Sequence, residues 1–408
     1  MKGLREQTEE RSSPGPAQEA KQPGWICFSA QDWWYHNQAH SDFQLLRRVA
    51  KQRPVLFVNS IGMRMPAPGR STQFARRIYR KAKSVARFLK QPLADTPDFH
   101  VLTPVILPFY GSKVIRALNA RLVREQVRMV ARWIGIDPDD AVLFVTIPTA
   151  VDVVRDWPRR SLVTNRSDLH SAFEETDQAL IRSLEHELVR ISDVALYTSH
   201  SLMASEGMIA GDGVVFLDHG VDYDRFASAT GTPHPDLADI PRPIVGFFGG
   251  LDDYVVDLPL LKKVAEDLSD CSLVLIGDAT CPIDDITNLP NVHWFGFRPY
   301  EEIPSYGAGF DVALMPWLRN EWIEQCNPIK MKEYLAIGLP VVSTDFPEVH
   351  FYSDEIAVAD SHEQFVALIR EALDGKAVGT TGSRKARVEA VTWDRQAEEL
   401  VALAEGCS

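Results

Sequence analysis

Cysteine is scarce and badly placed for structural chemistry. Five occur in 408 residues (Cys27, Cys271, Cys281, Cys326 and Cys407), an odd number with no Cys-x-x-Cys pair. That argues against a disulfide framework and a zinc site, and it suits a reducing cytoplasm. No apolar run approaches the roughly 18–20 residues of a membrane span. The longest candidates, 101–110 and 141–151, are broken by proline. Residues 1–22 are polar and charged and lack the apolar core of a signal peptide, so they are expected to form a disordered tail on a cytoplasmic protein. The glycines at 246, 249 and 250 miss the G-x-G-x-x-G spacing of a dinucleotide fingerprint. Acidic residues are short in one stretch. Between Ile61 and Gly135 there are 15 Lys/Arg against 3 Asp/Glu, a net +12 in a chain of net charge -13. The remainder therefore carries -25.

What is present is the profile of an ordinary globular protein, 45% hydrophobic and 24% charged, long enough for two domains. Short apolar runs at 24–28, 54–58, 101–107, 141–146, 161–164, 194–198 and 214–216 read as strands. They alternate with amphipathic segments at 42–51, 112–134 and 176–191. Such alternation predicts parallel βαβ units. Residues 228–243 are rich in Pro, Gly, Thr and Asp and read as linker, after which strands are expected at 244–248, 272–276, 292–295, 312–315 and 341–343. The divisions are 23–220 for a first α/β domain, 221–243 for the connection and 244–383 for a second domain. Residues 384–408 form a terminal helix. Ligands are expected at the carboxyl ends of the strands and in the cleft between domains.

The stretch from Asn327 to Thr344 (NPIKMKEYLAIGLPVVST) reads as loop, helix, buried strand. Asn327 and Pro328 suit the N-cap and N1 positions. Free amides at a helix start attract phosphate, and Lys330 adds a charge that suits a bound anion there better than it suits the helix dipole. Glu333 follows one turn later on the same face, placed to accept from ribose hydroxyls beside a diphosphate. By the residues alone, a surface helix with an ordinary Lys and Glu is equally open.

This stretch resembles the donor-site signature of GT-B glycosyltransferases, especially family 4 and its relatives of bacterial cell-surface polysaccharide and teichuronic acid synthesis. Three further segments resemble that family in the same order: 217–226 (LDHGVDYDRF), 245–250 (VGFFGG), and 291–300 (NVHWFGFRPY) followed by 311–316 (DVALMP). The resemblance implies a GT-B fold, two Rossmann-like doubly wound α/β domains facing across a cleft. It implies transfer of a sugar, of hexosyl type, from a UDP- or GDP-sugar to a hydroxyl acceptor, with no cofactor and no metal. The implied donor site is Gly249, Gly250, Phe297, Met315, Asn327, Lys330 and Glu333, with Glu333 on ribose and Lys330 on diphosphate. Two departures stand out. Gln325 occupies the position of the family's second glutamate, and Leu251-Asp252-Asp253 replaces the usual Arg and Lys after the glycines.

In the first half, 165–173 (NRSDLHSAF) resembles a segment of teichuronic-acid-type transferases. It makes Asp168 and His170 candidates for general base or acceptor binding, the alternative being that Asp168 caps the next helix. Asp32, Trp33 and Trp34 follow the first strand and could hold an acceptor sugar, or the aromatic rings could pack in the core. Residues 71–90 contain no acidic residue and place an apolar stripe beside a cationic face. This is the pattern of a helix at an anionic membrane surface, which would put the protein at the inner face of the plasma membrane with a sugar or lipid-linked acceptor. A solvated face is the plainer alternative, and no nucleic-acid motif accompanies the charge. Two other functions fit the same fold: a nucleotide-sugar epimerase or hydrolase, and a non-catalytic nucleotide-binding partner subunit.

Overall fold

The computed structural model describes residues 22–35, 39–62, 83–107, 112–173 and 177–406. Two sheets account for the strands. The first runs β1 (Trp25–Phe28), β2 (Val55–Val58), β3 (Leu89–Lys90), β4 (Phe99–Leu102), β5 (Val142–Val145), β6 (Ser161–Arg166), β7 (Val194–Tyr197) and β8 (Val214–Phe216). Its spatial order is β3-β4-β2-β1-β5-β6-β7-β8. The second holds β9 (Ile244–Phe248), β10 (Ser272–Ile276), β11 (Val292–Trp294), β12 (Val312–Met315), β13 (Val341–Thr344) and β14 (Ile356–Ala359), ordered β11-β10-β9-β12-β13-β14. Pairing is parallel throughout except between β3 and β4. The central strands are buried at every position, as sheets covered by helices on both faces require. The order reverses beside β1 and beside β9, so each sheet has a switch point at its centre, facing the cleft.

Helices of nine residues or more are numbered α1 (Ser41–Val49), α2 (Lys113–Trp133), α3 (Gln178–Ile191), α4 (His200–Ala210), α5 (Leu258–Asp267), α6 (Ile329–Ile337), α7 (His362–Glu371), α8 (Thr381–Glu389) and α9 (Trp393–Glu405). The run at 101–107 is shorter than the sequence suggests: it ends at Leu102, because Pro104 lacks a ladder donor. The terminal helix is two helices. Thr392 caps α9 by accepting from the Arg395 amide, after Val391 and Trp393 have bonded to the backbone of Val221. Here α9 crosses to the first sheet. Trp393, Leu400 and Ala404 join Trp25, Cys27 and Val163 in one apolar cluster. A Cβ on Gly220 would overlap the Trp393 backbone, so the crossing needs glycine there.

Of the basic segment 71–90, residues 71–82 lie outside the described residues. The expected helix does not reach Lys90. Residues 83–85 are helical, Phe88 packs against the first core, and Leu89–Lys90 pairs antiparallel with β4. No helix among the described residues is long and apolar enough to cross a membrane.

Candidate active site between the two sheets

A cavity of about 920 Å³ lies between the carboxyl ends of the two sheets and is lined from both. Its volume is that of a site for a ligand of nucleotide-sugar size.

On the second sheet's side, β9 runs into Gly249 and Gly250, and α6 opens opposite them. Pro328 rather than Asn327 is the N-cap of α6, and it supplies no side-chain cap. Asn327 has another task. Its Nδ2 donates to the Thr198 carbonyl at 2.6 Å and to Asp218 at 2.8 Å, and its Oδ1 accepts from Lys332 Nζ at 3.1 Å. The α6 amides are thus left without a side-chain cap at the cavity wall. Lys330 Nζ lies 4.8 Å from the Phe247 ring centroid and 5.4 Å from that of Trp317, a cation held over aromatic faces. Burial lowers its pKa, while Glu333 and Asp252 pull the other way. A Cβ on Gly249 (φ +151°) would collide with this ammonium, so glycine leaves Lys330 its place.

Glu333 lies on the same face of α6, buried, with Oε1 accepting from the Tyr300 hydroxyl at 2.9 Å. Burial pushes its carboxyl up to about 7, against the lowering by Tyr300 and Lys330. Phe297 is 55% exposed and lines the cavity, as does Arg298. Met315 does not reach it. Alternation along β12 turns Met315 with Ala313 into the core cluster under α6, where it is fully buried.

On the first sheet's side, β6 ends in Arg166, a fully buried guanidinium. It bonds Glu206 through two nitrogens at 2.8 and 2.9 Å and Glu185 at 2.7 Å. A further bond to the Asp168 carbonyl at 3.0 Å fixes the turn that carries Asp168 and His170. Both line the cavity. Asp168 does not cap the next helix. The cap of α3 is Asp177, which accepts from the Leu180 amide. Instead Asp168 Oδ1 accepts from the Trp322 indole, on the other side of the cleft, at 3.1 Å. Burial raises the Asp168 carboxyl, and His170, Trp322 and Arg166 partly offset this. His170 is almost fully buried, its Nδ1 3.6 Å from Glu185.

The three acceptor candidates after β1 belong to the core instead. Trp33 packs against Phe43, Phe57 and Phe99 at centroid distances of 5.0, 5.6 and 4.8 Å. Asp32 accepts from Ser84 and the Trp34 amide, and Trp34 lies under Arg87. A strand end followed by aromatics did not reveal which way the rings turn. The cavity wall there is formed by Asp42 at the start of α1, with Thr146 and His219. Asp42 accepts from Ser29 and the Phe43 amide, and burial pushes it up to about 6. Sequence reasoning missed Asp42 because an acid in a first turn looks like an ordinary helix start. It also missed Trp322 and Tyr254, which carry no local motif, and did not single out His219 and Tyr300 within the segments 217–226 and 291–300.

The fold is that of the GT-B glycosyltransferases. Residues 242–375, the second sheet with its helices, match the family model described as Glycosyl transferases group 1. Sucrose-phosphate synthase from Thermosynechococcus elongatus superposes with a TM-score of 0.71 at 14% identity, covering 94% of this chain and 99% of that one. Anabaena HepE, solved in complex with UDP-glucose, gives 0.65 at 15% identity over 93% and 98% of the two chains. In sequence, the chain is 29% identical over 193 residues to TuaH of Bacillus subtilis (strain 168), whose given name assigns it to teichuronic acid biosynthesis as a glycosyltransferase. That match spans 45% of this chain and about half of the relative, 48%.

Proposed function

We propose that this chain is a glycosyltransferase moving a sugar, of hexosyl type, from a nucleotide diphosphate-sugar to a hydroxyl acceptor. The observation that carries the reading is the placement of Lys330 and Glu333 on the first turns of α6, with the Lys330 ammonium packed against Gly249, in the wall of a cavity shared by both sheets. Glu333 would accept from the ribose hydroxyls. Lys330 and the open α6 amides would meet the diphosphate charge as it leaves, with no resident metal. The complexes of HepE with UDP and UDP-glucose favour a uridine donor over a guanosine one.

In transfer, the bond from the anomeric carbon to the diphosphate oxygen breaks and a bond to the acceptor oxygen forms. The nucleoside diphosphate departs with the bonding electrons. If configuration is inverted, Asp168 takes the acceptor proton; if it is retained, that proton passes to the departing diphosphate oxygen and Asp168 binds substrate. The TuaH similarity supports an acceptor from cell-surface polysaccharide or glycolipid synthesis. The cations of 71–90, though not as one continuous helix, would then hold the protein to the anionic inner face of the plasma membrane. Binding to anionic but not neutral vesicles, weakened by salt, is the expected result there, and equal binding to both would contradict it.

The test is a panel of UDP- and GDP-sugars with and without hydroxyl acceptors, in the presence of EDTA, with product analysis. Acceptor-dependent release of the nucleoside diphosphate and a new glycoside are expected. Turnover of donor alone would indicate an epimerase or hydrolase, and tight nucleotide binding without turnover a partner subunit.

A further inference from the structure

Trp322 lies on the loop between β12 and α6, in the nucleotide half, yet its indole nitrogen bonds a carboxylate of the other half. Asp168 Oδ1 accepts from it at 3.1 Å. Its ring is held from both sides. Phe173, from the first half, meets it edge-on at 5.0 Å, and Tyr254, from the second, lies parallel to it at 6.1 Å. Tyr254 in turn donates its hydroxyl to the Ala172 carbonyl at 2.7 Å, two residues from His170. The Trp322 loop is itself braced. Asn320 donates to the Tyr254 carbonyl at 2.6 Å and accepts from the Ile323 amide at 2.9 Å. Arg182 and Glu321 pair at 2.8 Å beside it, though both are about half exposed and contribute little.

The two carboxylate oxygens of Asp168 are therefore unequal. Oδ1 has an indole donor whose ring is fixed by two aromatic contacts. Oδ2 has the Ser167 hydroxyl at 3.4 Å, too long to hold it firmly. A donor that fixes one oxygen turns the carboxylate plane and leaves the other oxygen for a substrate hydroxyl. We propose that Trp322 is a positioning residue that acts through Asp168, so that the nucleotide half orients the acceptor-side carboxylate when the cleft is assembled. This rests on the reading of Asp168 as an acceptor-side group. It adds that the group's orientation is not intrinsic to its own domain.

The other groups around Asp168 are His170 and Arg166 from β6 and its turn, with Glu185 and Glu206 neutralising Arg166 from α3 and α4. Cys326 and Lys330, from the nucleotide half, line the same cavity as Asp168. Burial raises the Asp168 carboxyl and the indole bond opposes that rise. Removing the bond therefore moves its titration to higher pH.

Trp322→Phe keeps an aromatic ring between Phe173 and Tyr254 and deletes the N–H. Two measurements decide the matter. First, the 15N-labelled Trp322 indole signal should titrate with pH in the intact chain and stop doing so in Asp168→Asn. Second, Trp322→Phe should lower kcat by roughly 10- to 100-fold with donor KM unchanged. The acidic limb of its kcat profile should also shift to higher pH. An indole signal indifferent to Asp168, or a Trp322→Phe enzyme with unaltered kcat and pH profile, overturns the proposal. A chain that transfers no sugar under any condition sinks the functional reading instead, and the indole titration still decides the coupling of Trp322 to Asp168.

Discussion

Asn327 Nδ2 donates to the carbonyl of Thr198 at 2.6 Å, tying the residue that leads into α6 to the residue that follows β7. The bond joins the two halves at the floor of the cleft. It is one of a set, since Asn327 also contacts Asp218 and Lys332, and Lys332 Nζ pairs with Asp218 at 2.9 Å. Lys332 is fully buried. The pair raises the Lys332 ammonium and holds the Asp218 carboxyl below its ordinary value, despite burial. The neighbouring imidazole of His219 is pushed down to about 3 by burial and by Lys332, so it is neutral beside them.

Removing Lys332 leaves the largely buried Asp218 carboxylate without its counter-charge, with the Asn327 amide still donating to it. Lys332→Met should destabilise the protein by about 3–5 kcal/mol, and adding Asp218→Leu should restore much of the loss. Denaturant unfolding checks both variants. The sign with pH follows from Asp218. Its depressed pKa gives a contribution that is present above the ordinary carboxylate range and is lost as pH falls through the folded value. A double variant no more stable than the single one would show that the pair does not act as a unit.

With Glu333 on ribose as proposed, nucleotide binding should depend on pH in the neutral range. The Glu333 carboxyl is pushed up to about 7, and the ionised form offers both oxygens as charged acceptors to the ribose hydroxyls, whereas protonation turns one of them into a donor. Affinity should therefore rise as pH increases through about 7. Uridine, which has no phosphate to titrate, separates this from ionisation of the diphosphate. Glu333→Gln should flatten the uridine profile. The same raised pKa means that Glu333 costs stability as pH climbs from its unfolded value towards 7, so the empty protein should be slightly more stable on the acid side. Calorimetric titration at pH 6 and pH 8 is the check.

Lys330 and Gly249 should behave as one device. Lys330→Ala is expected to weaken UDP far more than uridine, because only the former carries the diphosphate. Gly249→Ala should do the same, since the added methyl lies where the ammonium sits and the backbone conformation disfavours alanine. Equal weakening of UDP and uridine by Lys330→Ala would make Lys330 structural.

The layered α/β plan was legible because long amphipathic helices and apolar strands leave strong periodic traces. β9, β10 and β12 match the sequence reading at both ends. β14 and α4 left weaker traces. β14 is a four-residue strand, and α4 is apolar on more than one face. The second sheet's wall of the cavity was legible at Lys330 and Glu333, which lie on one short helix whose spacing fixes their relation, and on the first sheet's side Asp168 and His170 were legible as cavity residues. Trp33 and Met315 were not placed: the pleat of a strand and the turn after it decide between core and cavity, and neighbours far in sequence set that choice. Asp168 meeting Trp322 across 154 positions is a tertiary event with no local pattern.

The central claim is that a nucleoside diphosphate sits on α6 with its ribose on Glu333, and titration of UDP into the intact chain and Glu333→Ala tests it most directly. The account predicts saturable binding to the intact chain and a loss of about 1.5–3 kcal/mol in the variant, with the folded state retained. UDP binding of equal affinity to both proteins would contradict it.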